Sequence, residues 1–374
     1  MASDLIVPVV KLEQLRPHPN ADKLELVNVL GYQMCVPKGL HKDGDVMVYF
    51  PADTLIPATW ADSFGVRKYL KGKDQDRVGR IKLRGEPSFG LVVQPPKLPA
   101  DVKFNVGDNV ADYYGAKKYE PPVRATAGDA AARDPLIDPF FEQFTDVQNG
   151  RMFTDIFVDG EEVICTEKIH GTNCKVGCID GKPVAGSMGV RRKRPTKLFE
   201  GQEIPCKLTD DAIATNTYWF PFSLPGVRSL MSDFAEQEIK EPVLLYGEVY
   251  GGSIQSLDYG IPKGKGLGFR AFGLKVNGRF LDWDVFADTC IKYGVKMVPV
   301  LGRGPFSMEK AKHYADGTSV LWTDAGVKVE HMREGCVIYP VKEREHPKIG
   351  RVILKYIGTE YELSKHKEQD TKDV

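Results

Sequence analysis

The chain has 374 residues, too many for one typical core and about right for two domains of roughly 100 to 200 residues each. Lys and Arg together number 51 and so do Asp and Glu. The formal charge is therefore zero, which excludes a globally basic nucleic-acid binder and requires any such surface to be local. Seven scattered cysteines, without a paired His or Cys set, argue against a disulfide framework and against structural zinc. The opening MASDLIVPVV lacks a basic region followed by a long apolar run, and no stretch of about 18 apolar residues occurs. A soluble intracellular protein with no membrane partner is expected.

From Leu5 to about Tyr114, short apolar runs (LIVPVVKL, LELVNVL, VMVYF, FGLVVQP) alternate with turn clusters such as HPNADK and KDGD. That punctuation predicts a small all-β barrel over residues 1–117. Residues 118–139 include PPVRATAGDAAARDPLID, too poor in large apolar side chains to offset the ordering of its backbone, and read as a linker. Over 140–365, strand-like runs (EEVICTEKI, CKVGCID, VLLYGEVYG, FRAFGLKV, GCVIYP, RVILKYI) are interleaved with helical spacing at 281–294 and 307–317. The expected class is α+β, with antiparallel sheets flanked by helices. Residues 366–374 are almost wholly polar and read as a flexible tail.

The sharpest local signal is Glu167-Lys168-Ile169-His170-Gly171-Thr172-Asn173, directly after the apolar run VICT. Most lysines are solvated surface charges. Lys168 instead follows an apolar strand and precedes a Gly-Thr-Asn turn. Partial burial, with Arg191 and Arg192 nearby, is expected to pull its pKa down, as an amine nucleophile requires.

This heptad resembles the signature of the covalent nucleotidyltransferases, which comprise ATP-dependent ligases and mRNA capping enzymes, in the form of the RNA ligase 2 branch. His170, where the wider superfamily has Asp, points to that branch. Further segments follow in the family's order: VAGSMGVRRKR, YGEVYGGSIQSLDYG, FRAFGLKV, REGCVIYP and VILKYI. The resemblance implies that Lys168 carries AMP taken from ATP and that Glu167 and Asn173 belong to the nucleotide site, with Asn173 acting near a 5′-phosphate. It further implies that Arg191 or Arg192 is an essential arginine, that Glu248 meets the ribose, that Phe272 stacks on adenine, and that Lys355 reaches the α-phosphate. Glu334 is then the candidate ligand for magnesium or manganese. The family's last motif has two lysines where this chain has Ile353 and Lys355, so Arg351 or Lys348 is a candidate substitute.

The stretch LRPHPNADKLELVNV is similar to the opening of tRNA-binding oligonucleotide-barrel (OB) domains. A barrel ahead of the transferase domain resembles the Deinococcus-type RNA ligases. A basic run, with Arg77, Arg80, Lys82 and Arg84 at its end, is the candidate nucleic-acid face, against the plainer reading of a solvated charged hairpin. The resemblance implies a monomeric RNA repair ligase acting on a nicked duplex with an RNA 3′-OH end. A GTP-dependent capping guanylyltransferase and a non-catalytic RNA-binding scaffold are the alternatives.

Overall fold

The computed structural model describes residues 5–96, 102–119, 141, 144–158, 160–236, 242–322, 326, 328–365 and 370–371. The greater part of the expected linker, 120–140, lies outside them, as do 366–369 and 372–374 of the expected tail. The chain divides into two compact units: unit 1 holds 1–123, 148–154 and 359–374, and unit 2 holds 124–147 and 155–358. The expected boundary at 365 thus assigned the last helix differently from the contacts, for a reason that follows from its side chains.

Unit 1 is built from short strands, ten of them between residues 9 and 118; a further one, Asp370–Thr371, pairs in parallel with Lys82–Leu83. β1 (Val9–Lys11), β5 (Val46–Phe50) and β9 (Leu91–Val93) form one sheet in the order β1-β5-β9. β2 (Glu13–Pro17), β3 (Leu24–Val29) and β4 (Tyr32–Pro37) form a second, and β6 (Thr54–Leu55) pairs with β10 (Lys117–Lys118). β7 (Arg80–Leu83) and β8 (Glu86–Phe89) make a hairpin whose two turn residues, Arg84 and Gly85, have φ of 50° and 90°. Two successive positive φ values match the right-handed twist of a two-residue hairpin. The period-2 pattern of YQMCVP puts Tyr32, Met34 and Val36 inside, where they pack with Val27 and Val29 of LELVNV and with Val10, Met47, Tyr49 and Phe89.

The last helix joins this unit because its buried face belongs there. Leu363 packs on the core that holds Tyr32 and Met34, and Glu362 bonds to Arg80.

Unit 2 has two large antiparallel sheets and, among the described residues, smaller pairs such as β15 (Thr196–Phe199) with β16 (Gln202–Pro205). β11 (Glu162–Lys168) lies between β20 (Val300–Pro305) and β21 (Gly335–Pro340), and β21 pairs in turn with β22 (Leu354–Ile357). The second sheet runs β14-β13-β12-β17-β18-β19, from Arg191–Arg192 through Lys182–Gly186, Thr172–Ile179, Val243–Tyr250 and Gly268–Val276 to Arg279–Phe280. Two of its helices occur where helical spacing is expected, whereas Asp211–Ala214 and Pro225–Ala235 lie outside those stretches. One, Trp283–Tyr293, buries Trp283, Phe286 and Cys290 and ends at Gly294 in the left-handed region. Another, Met308–Ala315, starts at Ser307, whose hydroxyl accepts from the Lys310 N–H at 3.2 Å. A single apolar core joins the sheet faces, with Cys174, Val176, Leu245, Leu274, Trp219 and Phe222 among its members. No helix among the described residues is long and apolar enough to cross a membrane.

Candidate active site

β11 ends at Lys168, opposite Gly335 of β21, and the chain then crosses to β12 through Ile169, His170 and Gly171. That crossing is narrow: a methyl group on Gly171 would collide with the Val249 carbonyl and the Glu248 side chain. Glycine at 171 lets its N–H donate to Glu248 Oε1 at 3.1 Å. Ile169 is buried, and the His170 N–H donates to the Tyr259 hydroxyl at 2.7 Å.

Lys168 Nζ lies 2.8 Å from Glu334 Oε1. Burial works to lower its pKa, but the carboxylates of Glu334 and Glu248 outweigh that and hold it above the ordinary lysine value. The expectation of a lowered pKa is therefore corrected for the ligand-free site: its near charges are two carboxylates rather than the two arginines. Burial, reinforced by Glu334, raises the Glu248 carboxyl to about 8 against the pull of Lys168. One ammonium thus faces two carboxylates, and Glu334 Oε2 is buried without a hydrogen-bond partner. With both carboxyls ionised the pocket is short of positive charge, and Glu248 accordingly holds its proton up to about pH 8.

Strand register places the other expected residues. Asn173 is opposite Glu248, which is opposite Arg270. The Asn173 side-chain oxygen is buried with no partner. Lys175 is opposite Gly186, and Gly186 is opposite Arg191; Val176 is opposite Ala185, and Ala185 is opposite Arg192. Because successive side chains alternate faces, Arg191 shares the face of Asn173 and Glu248 whereas Arg192 points to the other. The stacking of Arg192 on Tyr218, 4.8 Å from the ring centroid, agrees. Phe272 sits where the pairing of β17 with β18 shifts register between Tyr246 and Gly247. It is half-buried and meets Phe144 edge-on at 5.0 Å. Lys355 is half-buried opposite Val337, the residue three beyond Glu334.

Three expectations need correction. Glu167, expected at the nucleotide, is 1% exposed and is turned onto the 317–333 hairpin, where it accepts from the Ser319 hydroxyl at 2.6 Å and the Val320 N–H at 2.8 Å. Neither candidate substitute for the missing lysine is free: Arg351 is paired with Glu343 and stacked on Phe280, and Lys348 is paired with Asp155. Ile353 itself lies in the apolar core.

Within the basic run, Arg80 is withdrawn from the candidate nucleic-acid face. It bonds to Asp53 at 3.3 Å and Glu362 at 3.4 Å. Arg77 stacks on Tyr119 at 4.1 Å, Lys82 is half-buried, and Arg84 is exposed at the hairpin tip. Sequence reasoning missed Phe144, Arg270 and Tyr259. Tyr259 carried a signal as part of the SLDYG run and Arg270 as part of FRAFGLKV, whereas Phe144 carried none. Among the described residues no group of three or more His, Cys, Asp or Glu side chains could hold a metal ion.

The fold and the strand-end lysine among buried carboxylates define an enzyme with a separate small β-barrel unit. A family model described as RNA ligase matches residues 161–357, more than half of the chain, and the chain belongs to the RNA ligase family. A model described as an OB-fold domain matches residues 6–95.

Among solved structures, an apo variant of the Naegleria gruberi RNA ligase matches with a TM-score of 0.69 at 23% identity, covering 98% of this chain and 99% of that one. A variant of the same ligase with ATP and Mn gives 0.68 at 23% identity, covering 97% and 99%. One with AMP and Mn gives 0.67 at 22%, again covering 97% and 99%. Likeness at this identity establishes the shared fold. No curated protein sequence matches the chain.

Proposed function

We propose that this RNA ligase is ATP-dependent and works through a lysyl-AMP intermediate on Lys168 to seal a 5′-phosphate to an RNA 3′-hydroxyl. The observation that carries this reading is the strand-end Lys168 ammonium held 2.8 Å from Glu334 in a pocket that Glu248 also faces. Once deprotonated, the amine attacks the α-phosphorus of ATP; a P–N bond forms and pyrophosphate leaves. The RNA 5′-phosphate then attacks the lysyl-AMP phosphorus, breaking the P–N bond and giving an RNA capped by AMP. The 3′-hydroxyl attacks the 5′-phosphate, a phosphodiester forms and AMP leaves.

The remaining residues are assigned by their place on the sheet. Glu248 receives the ribose, Phe272 stacks on adenine, and Arg191 and Lys355 neutralise the phosphates. Asn173 acts on the 5′-phosphate in the later steps, and Glu167 holds the strand end in place. Magnesium or manganese fits the unpartnered Glu334 Oε2, taking its other ligands from water and phosphate as these hard cations usually do. When bound, it supplies positive charge that disfavours the ammonium form of Lys168 and offsets the charge of the triphosphate. Arg77, Lys82 and Arg84 are the remaining part of the candidate nucleic-acid contact on the barrel, and the protein acts as a monomer.

The test is sealing of a nicked duplex with ATP or GTP, comparing a ribonucleotide with a deoxyribonucleotide 3′ end. Sealing with ATP alone, favoured by at least about 10-fold for the ribonucleotide end, is the expected result. Labelling by GTP in place of ATP would move the protein to capping, and RNA binding with no covalent label would make it a scaffold.

A further inference from the structure

Tyr259 lies 89 residues from the segment it touches. It adopts φ +50°, a left-handed backbone that disfavours a bulky side chain. The turn is closed locally, because the Gly260 N–H donates to the Asp258 carboxylate at 2.9 Å and the Ile261 N–H to the Asp258 carbonyl at 2.9 Å. The strained residue nevertheless buries its side chain completely. Its ring meets Tyr250 edge-on at 5.3 Å and His331 edge-on at 4.5 Å. Its hydroxyl accepts the His170 N–H at 2.7 Å, two residues beyond Lys168.

Tyr259 therefore ties together the end of β17, which carries Glu248, the hairpin that receives Glu167, and the turn leaving Lys168. Ile169, Tyr250, Tyr259, Leu321 and Val329 form one small core behind that turn. A backbone outlier that a surrounding structure holds in place is a pointer to function.

We propose that Tyr259 is a positioning residue for lysine adenylylation: its hydroxyl fixes the Lys168–Gly171 turn so that Nζ is held on the line of attack. The proposal rests on the lysyl-AMP reading. Attack requires alignment of the amine with the α-phosphorus, and a displacement of about 1 Å costs up to about 100-fold in rate. ATP affinity does not depend on that alignment.

Tyr259→Phe keeps the ring and its packing while removing the hydroxyl that accepts the His170 N–H. In single-turnover AMP transfer by the full chain with ATP and Mn, we expect the rate at saturating ATP to fall about 10-fold or more, with the half-saturating ATP concentration within about 2-fold of wild type. Leaving the buried His170 N–H without this acceptor should also lower the melting temperature by a few degrees. A purely structural tyrosine would do the same but leave the saturated rate within 2-fold, which would overturn the proposal. Amide hydrogen exchange provides a readout independent of catalysis. His170 and its neighbours should exchange at least about 10-fold faster in Tyr259→Phe, and unchanged protection there would also overturn it. Absence of any label on wild type would reject the lysyl-AMP reading, whereas lost protection at 170 would still show the tether.

Discussion

Each unit holds a cluster of titratable side chains, and the two clusters are balanced differently. In unit 1, Arg80 bonds to Asp53 and Glu362, while Arg151 stacks on Tyr32 at 4.5 Å and donates to the Gly31 carbonyl at 3.2 Å. Two guanidinium groups meet two carboxylates. Burial raises the Glu362 carboxyl above its usual value, and the two arginines oppose that rise. In unit 2, one ammonium meets two carboxylates, one oxygen is left over, and Glu248 is pushed up to about 8. A charge-matched buried cluster ties elements together. An unmatched one is destabilising by itself and favours binding of a cation. The contrast separates scaffold from site.

The largest effect expected outside Lys168 concerns the face split of the paired arginines. Arg191→Ala should slow AMP transfer by about 100-fold, as loss of one preorganised transition-state contact does. Arg192→Ala should cost about 1 kcal/mol of stability through its lost ring contact and leave the rate within about 2-fold. Single-turnover labelling and melting curves on both variants check this, and equal rate losses would break the face assignment.

Next is the balanced cluster. Glu362→Ala removes one of the two carboxylates that Arg80 bonds to and should destabilise unit 1 by about 1–2 kcal/mol, read by denaturant unfolding. A change of less than about 0.5 kcal/mol would mean that the last helix does not hold this unit together.

The smallest effect depends on pH. Because the folded pKa of Glu248 is raised above its ordinary value of 4.5, its contribution to stability is intact below about 4.5 and is lost as pH rises toward 8. Glu248→Gln should therefore gain stability relative to wild type across that window. The gain should reach about 1–2 kcal/mol, discounted for partial solvent contact. A pH-independent difference would show that Glu248 titrates normally.

The two sheets, the helices at 283–293 and 308–315 and the barrel could be read from the sequence because each rests on local periodicity. Lys168, Glu248 and Glu334 were equally visible, since each sits in a contiguous run of distinctive residues. What could not be read depends on partners distant in sequence. Arg80 resembles a phosphate contact until Glu362, 282 positions away, is seen to bond to it. Glu167 resembles a nucleotide contact until Ser319 is seen against it. The choice between Arg191 and Arg192 needed register across three strand pairings, and a one-residue slip would invert it. The direction of the Lys168 shift was misjudged for the same reason: both governing carboxylates lie far along the chain, whereas the arginines are near it in sequence.

The central claim is that Lys168 is the nucleophile in the over-acidic pocket. Its most direct test is incubation of the full chain with α-labelled ATP and manganese, followed by peptide mapping of the bound label, in wild type and Lys168→Ala. The account predicts AMP bound through an acid-labile P–N bond on the peptide containing Lys168, with the variant reduced by at least about 1000-fold. Label on another residue, or undiminished labelling of Lys168→Ala, would contradict it.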